Sequence, residues 1–333
     1  MATVPTDYKI GDKEIVGFAV NADNSGTTEG GTPGTYVYLR PRIGTVNFRP
    51  GDADQIEIDT MDVDDTEQDS GLKVYSGSFS FMSSYSSQEK LAQIMCGGAI
   101  STSGSGPYAH AVARGDQLKF AALKIWTNSQ HATGGGEIWT FTDVVFKDTT
   151  EDMEQGGKVT TTINWVAKAG SSAAGAAPSV TATELIRWKR TALTIASNTW
   201  CPKTISIKTE QGVAEDDGGL CTALAGGLAS ISRAGKRKVS ITVDIATDAV
   251  IAGYAAAPDG GIGSTSDNSL VHNNGGTTTA ERERSIVLGT LYPQPVDRST
   301  ANFGKEMNSR TYLVKDAAPI AYQFTNALES ITA

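Results

Sequence analysis

The chain reads as an all-β protein with minor helix, built from two tandem β-sandwich units, and three observations predict this. Apolar and polar side chains alternate in short runs, which is the period of a strand with one buried face. Glycine is abundant, 36 of 333 residues, and with serine and threonine it separates the runs, a pattern of strands and turns rather than long helices. A strand leading into a short helix occurs once in each half, as an internal duplication would require.

Taken in order, residues 1–35 form an N-terminal arm. It holds a strand over Glu14–Val20 and then a small, polar stretch from Asn21 to Thr35, ordered by contact with a neighbour or else a frayed end. The first unit, residues 36–168, opens with strand-like runs at Tyr36–Phe48 and Gln55–Val63. From Gly71 to Met82, Tyr75, Phe79 and Phe81 alternate with Ser76, Ser78 and Ser80. A helix follows: Ser86 is placed to cap it, Glu89 lies three residues on as in a capping box, Leu91, Ile94 and Met95 share a face, and Gly97-Gly98 ends it. A strand at Leu118–Trp126 and a hairpin of Ile138–Phe146 against Val159–Val166 complete the unit.

Residues 169–182 are almost wholly small and mark an exposed, flexible linker between units. The second unit, 183–333, has runs at Ala192–Ala196 and Thr204–Lys208, and then the regular alternation of Val239, Ile241, Val243 and Ile245 with Lys238, Ser240, Thr242 and Asp244. Thr247 or Asp248 caps its helix, Val250, Ile251 and Tyr254 give the apolar face, and Pro258 stops it. A loose segment, Ala255–Ala280, precedes strands at Ser285–Leu291, Thr311–Val314 and Ile320–Phe324, the last two standing where the first unit has its hairpin.

The formal charge of -9 is unevenly placed. Residues 1–170 carry 13 Lys and Arg against 22 Asp and Glu, whereas 171–333 carry 15 of each. Gly51–Ser70 holds nine acids, Asp52, Asp54, Glu57, Asp59, Asp62, Asp64, Asp65, Glu67 and Asp69, and no base. Such a surface excludes a basic groove for nucleic acid and reads as a solvated hairpin tip or as a face that repels a polyanion. The spacing of Asp62, Asp64, Asp65 and Glu67 departs from a calcium loop, which needs glycine where Glu67 stands. No metal site or cofactor is expected.

No basic-then-apolar leader opens the chain and no run approaches the ~18 apolar residues of a membrane span, so a soluble protein is expected. Cys96, Cys201 and Cys221 fit neither a disulfide framework nor zinc spacing and read as reduced thiols, Cys96 as packing. His110, His131 and His272 lie in glycine- or serine-rich surroundings without ligand spacing and read as surface residues. With no phosphate loop, dinucleotide fingerprint or nucleophile elbow, no enzyme activity is expected. Trp126, Trp139, Trp165, Trp188 and Trp200 fall at strand spacing, as core residues do.

Two tandem strand-rich units with one short helix each resemble the tail tube (major tail) protein of long-tailed bacteriophages. The resemblance is carried by Ser76-Gly77-Ser78-Phe79-Ser80-Phe81 through Ser87-Gln88-Glu89-Lys90-Leu91, by Cys201-Pro202-Lys203-Thr204-Ile205-Ser206-Ile207 and by Lys238-Val239-Ser240-Ile241-Thr242-Val243. It implies a structural virion protein made in the bacterial cytoplasm. Its sheets pair around a trimeric or hexameric ring into a β-barrel, with the helices outside and rings stacked into a tube. The implied partners are other copies of the chain, the tape-measure protein, the tail terminator and distal tail proteins, and phage DNA in transit without specific binding. On that reading part of Asp52–Asp69, with Glu215, Asp216 and Asp217, faces the lumen. The competing expectation is a glycan-binding adhesin using loops at Gly97–Pro107 and Ala255–Ala280.

Overall fold

A computed structural model describes residues 14–21, 30–57, 68–85, 88–128, 136–180, 184–216, 228, 230–246, 268–275, 282–294, 307–314 and 321–326. The first half of the sequence gives β1 (Ile15–Val20), β2 (Val37–Leu39), β3 (Asn47–Glu57), β4 (Gln68–Met82), helix α1 (Glu89–Cys96), β5 (Gly97–Ser103), β6 (Tyr108–Arg114), β7 (Ala121–Thr127), β8 (Glu137–Glu154), β9 (Thr160–Ala167) and β10 (Ala169–Ala174). The second gives β11 (Thr191–Ile195), β12 (Asn198–Trp200), β13 (Thr204–Glu210), β14 (Val213–Asp216), β15 (Ser230–Arg233), β16 (Lys238–Ala246), β17 (Ser269–Asn273), β18 (Glu283–Val287), β19 (Leu291–Pro293), β20 (Met307–Val314) and β21 (Ala321–Asn326). The all-β class with minor helix is therefore observed. Among the described residues every pairing is antiparallel and no sheet closes into a barrel.

The spine is β8, whose 18 residues span roughly 60 Å at strand rise. Its first part pairs with β7 and β10, its second with β9 and β13. The change of partners falls beside Asp143, which takes a positive φ of 52°, a conformation aspartate tolerates better than most residues. The Asp143 carboxylate holds the bend by accepting from the Gly30 amide at 2.7 Å and from Asn21 Nδ2 at 3.5 Å.

A second sheet runs β12-β11-β17-β18-β21-β6-β5 and faces β8 across one shared core. That core takes Phe79, Phe81, Phe141, Phe146 and Trp165 from the first half and Ile205, Ile241, Leu270, Ile286 and Phe324 from the second. The alternation expected at Tyr75–Phe81 and Val239–Val243 is what buries these side chains.

The two halves share part of an order of pairing, although β1 and β2 join β7 in the larger sheet whereas β11 and β12 join β17 in the other. β1 pairs β2 as β11 pairs β12; β3 pairs β4 as β13 pairs β16; β4 pairs β9 as β16 pairs β20; β9 pairs β8 as β20 pairs β19; β5 pairs β6 as β17 pairs β18. Chain order within each set is preserved, although β14 and β15 are inserted between β13 and β16.

Several expectations are corrected. Ile15–Val20, assigned to an arm, is buried along its whole length between β2 and β7. α1 has Gln88 as N-cap with no side-chain cap bond, and the Glu89 carboxylate accepts from Asn326; Ser86, the expected cap, lies outside the described residues. Gly97 does end the helix, in the left-handed conformation. The helix does not lie outside: seven of its eight residues are buried, and it touches β5, β6 and β21 of one sheet and β8 of the other. Ala169–Ala174, the start of the expected linker, is exposed but is a strand on β8. Gly170 has a packing reason, since a Cβ there would meet the rings of Tyr75 and Phe141 at 2.8 and 2.9 Å. β20 and β21 form no hairpin; β20 joins β16 and β19, and β21 joins β18 and β6. The expected second helix, from Thr247 to Pro258, lies outside the described residues.

Candidate assembly surfaces

The halves meet edge to edge in both sheets. In the larger sheet Thr204–Glu210 of β13 lies against Asp148–Glu154 of β8, and in the other Tyr322–Asn326 of β21 lies against Tyr108–Val112 of β6. Three polar clusters fasten this join. In the first, Arg284 on β18 and Glu151 on β8, 1% and 3% exposed, pair at 2.9 Å. Tyr322 donates its hydroxyl to Glu151 at 3.2 Å, and Arg284 also donates to His272 Nε2 at 3.2 Å. Nε2 must then be the unprotonated nitrogen, so Nδ1–H donates to Thr191 Oγ1 at 2.8 Å. Burial first, and Arg284 second, hold the His272 pKa well below the usual histidine range; burial and then Glu151 push the Tyr322 phenol well up.

The second cluster links the helix to both halves. His110 bridges Thr102 Oγ1 at 2.9 Å and Asn326 Oδ1 at 3.2 Å, and Asn326 Nδ2 donates to Glu89. Burial raises the Glu89 pKa despite that bond. In the third, Arg237 donates to the Cys96 carbonyl at 2.8 Å, the Gly115 carbonyl at 3.2 Å and Gln211 Oε1 at 3.0 Å, while Gln211 donates to the Met95 carbonyl. A second-half guanidinium thus satisfies the end of a first-half helix, where the dipole favours a cation. Burial, with Arg233 nearby, lowers the Arg237 pKa to about 10.

His110 and His272, expected at the surface, are therefore fully buried. Each sits on a strand opposite a threonine, Thr102 and Thr191, in the register of its sheet. His131 lies outside the described residues. These groups are consumed by one another, and among the described residues no three His, Cys, Asp or Glu side chains are grouped to hold a metal ion. Cys96 is buried, its thiol pushed up to about 12 by burial, and Cys201 is exposed; neither forms a disulfide, and Cys221 lies outside the described residues.

The outer edges look different. At the first-half end are β2, β3 and β5, with β10 beside β3; at the second-half end are β19 and β12. β3 and β4 form a hairpin that outruns the sheet, because β4 meets β9 only from Tyr75 onward while Gln68–Lys73 pair with β3 alone. Of the expected lumen acids, Asp52, Asp54, Glu57 and Asp69 lie on the strands of this ribbon. Asp59, Asp62, Asp64, Asp65, Glu67 and Asp217 fall outside the described residues. Glu215 and Asp216 are on β14, and Glu215 is bridged to Lys147 at 2.6 Å.

Gly97–Pro107, expected as a glycan loop, is mostly β5, hairpinned to β6. Trp126, Trp165 and Trp200 are buried, and Trp139 and Trp188 are half-buried against the core, so no indole offers an exposed platform. Among the described residues no helix is long and apolar enough to cross a membrane. The sequence matches no family model and no curated protein.

Proposed function

We propose that this chain is a structural subunit that polymerises into stacked rings, as the tail tube protein of a long-tailed bacteriophage, encloses a tape-measure protein and conducts DNA to the host. One observation carries the reading. Two halves that share part of their order of strand pairing join side by side through both sheets, which is the contact a ring needs between one subunit and the next. An internal duplication explains the shared order. In a ring of three chains the β3 and β5 end of one copy meets the β19 and β12 end of another, giving six units and completing the barrel that a single chain leaves open.

Part of Asp52–Asp69, with Glu215, Asp216 and Asp217, faces the channel on this reading, where carboxylates keep a polyanion from adhering in transit. The Lys147 bridge to Glu215 makes that residue the weakest contributor. Electron microscopy and sedimentation of the concentrated protein test the reading. Rings or tubes of phage-tail width are expected, and a persistent monomer at every concentration refutes it. Replacing acids of the run by lysine tests the channel assignment, with impaired genome delivery from intact particles expected and normal delivery counting against it.

A further inference from the structure

Each half carries a threonine hydrogen-bonded to a buried histidine, and the proton between them is arranged in opposite senses. In the second half Arg284 can only donate, so His272 Nε2 accepts from it at 3.2 Å and Nδ1–H is turned to Thr191 Oγ1 at 2.8 Å. The Thr191 hydroxyl donates in turn to the Arg187 carbonyl at 3.4 Å. Its proton is thus spent on the backbone. In the first half Asn326 donates Nδ2–H to Glu89, which leaves Oδ1 facing His110 Nε2 at 3.2 Å. An amide oxygen only accepts, so Nε2 carries the hydrogen and Nδ1 is bare. Nδ1 lies 2.9 Å from Thr102 Oγ1, and here the hydroxyl is the donor. Glu89, Asn326 and His110 are all buried, whereas Thr102, at the outer end of this relay on β5, is exposed.

A hydroxyl bonded to an unprotonated imidazole nitrogen, with the other ring nitrogen held by a third group, is the arrangement that activates a nucleophile. The strand register builds it: Thr102 lies opposite His110 on one side, and Phe324 of β21 lies opposite His110 on the other, so the imidazole is held between two strands. Among the described residues β5 is the last strand of its sheet. Alternate backbone N–H groups along its free side point away from β6, where they can donate to the oxygen of a carbonyl brought up to the edge. We infer that Thr102 is an acyl acceptor with His110 as its general base, and that its substrate class is an ester presented at the β5 edge. Thr102 Oγ1 bonds to the ester carbonyl carbon as its proton passes to His110 Nδ1. The tetrahedral adduct then breaks the bond to the leaving oxygen, which takes that proton from Nδ1 and departs as an alcohol. Acyl-Thr102 and a neutral imidazole remain. The step needs one chain only and is independent of the assembly reading.

The test incubates the full-length protein with p-nitrophenyl acetate and maps acetylated peptides by mass spectrometry. Acetyl on the Thr102 oxygen should accumulate roughly 100-fold faster than on Ser101, Ser103 or Thr191, the low end of what a positioned general base contributes. Ser101 and Ser103 are exposed on the same strand but alternate to its other face. Thr191 has an imidazole partner with the proton reversed, so it controls for proximity to histidine alone. His110→Gln should abolish the preference, because a carboxamide does not take up the proton, and Thr102→Ser should keep it. Similar rates at Thr102, Ser101 and Ser103 overturn the inference, as does a preference for Thr102 that survives His110→Gln. The comparison among hydroxyls is made within the parent chain, so it decides the matter even where a variant fails to fold.

Discussion

The join inside the chain and the borders outside it are built on opposite plans. Inside, β8–β13 and β6–β21 pair over their full overlap and are backed by the buried Arg284–Glu151 and His110–Asn326–Glu89 clusters and by the half-buried Arg237. Outside, β3 carries Pro50 and two register shifts, β2 is flanked by Pro33 and Pro41, β12 is three residues long with Pro202 soon after, and β19 is three residues ending at Pro293. Proline and bulges blunt an edge against uncontrolled strand addition. β10 lacks them but runs beside β3 without pairing to it, so β5, regular from Ile100 to Ser103 after a register shift at its start, stands as the uncharged, proline-free edge facing outward. The inner join is sealed by groups that cannot be left unpaired, while β5 is the outer edge with neither charge nor proline to oppose a neighbour.

The largest effect comes from opening the inner join. Glu151→Ala leaves Arg284 charged and unpaired in the core and should cost about 3–5 kcal/mol, the range for breaking a buried pair from one side. Glu151→Leu with Arg284→Met removes both charges and should recover most of that loss. Equilibrium denaturation of the two variants reads the difference; equal costs would mean that the pair does not behave as a buried unit.

Next is the clamp on α1. Arg237→Ala leaves the Cys96 and Gly115 carbonyls and Gln211 without that donor and should cost about 2–3 kcal/mol. Hydrogen exchange should speed up first in Leu91–Cys96, since the helix end loses the cation that satisfies it. Uniform exchange across the chain would argue that Arg237 holds no particular element.

The join also has a pH signature. The folded pKa of His272 is depressed by burial and Arg284, whereas in the unfolded chain it lies near ~6.5. Above that value both states are neutral and pH has no effect. Below it the unfolded chain binds a proton that the folded one does not, so stability is lost at up to about 1.4 kcal/mol per pH unit until the folded pKa is reached. Glu89, its pKa raised by burial, acts in the opposite sense just above the usual carboxylate range: the folded state holds its proton longer, so that contribution fades as pH rises. Denaturation at pH 7, 6 and 5 should show a shallower loss toward acid in His272→Gln than in the parent, and parallel curves would contradict the assignment.

What was legible in the sequence was local. The alternation at Tyr75–Phe81 and Val239–Val243, the helix at Leu91–Met95 and its stop at Gly97 depend on neighbours within a few residues, and they stand in the structure. What escaped depends on partners far along the chain. His110 meets Asn326 and Glu151 meets Arg284 across separations of 216 and 133 residues, so the loop-like surroundings of His110 and His272 place them at the surface while their distant partners bury them. A signal was present in part: His110 and His272 each take an inward place in an alternating run, beside Val112 and Leu270. Residues 169–174 misled for a related reason, because small side chains serve a flexible linker and a strand pressed against Tyr75 and Phe141 equally well.

The smallest effect on stability is expected where the effect on assembly should be large. Ser101 on β5 is exposed and its hydroxyl bonds the Ala111 carbonyl at a long 3.4 Å, so Ser101→Lys removes little from the folded chain and should change stability by no more than about 0.5 kcal/mol. A lysine on an otherwise uncharged edge nevertheless opposes strand addition from a neighbour, because its ammonium must be desolvated or displaced as the new strand arrives. An unchanged thermal transition together with loss of rings is the expected result. Rings formed at the parental concentration would mean that β5 is not the receptive edge, leaving the blunted borders at β3, β12 and β19 to account for any assembly.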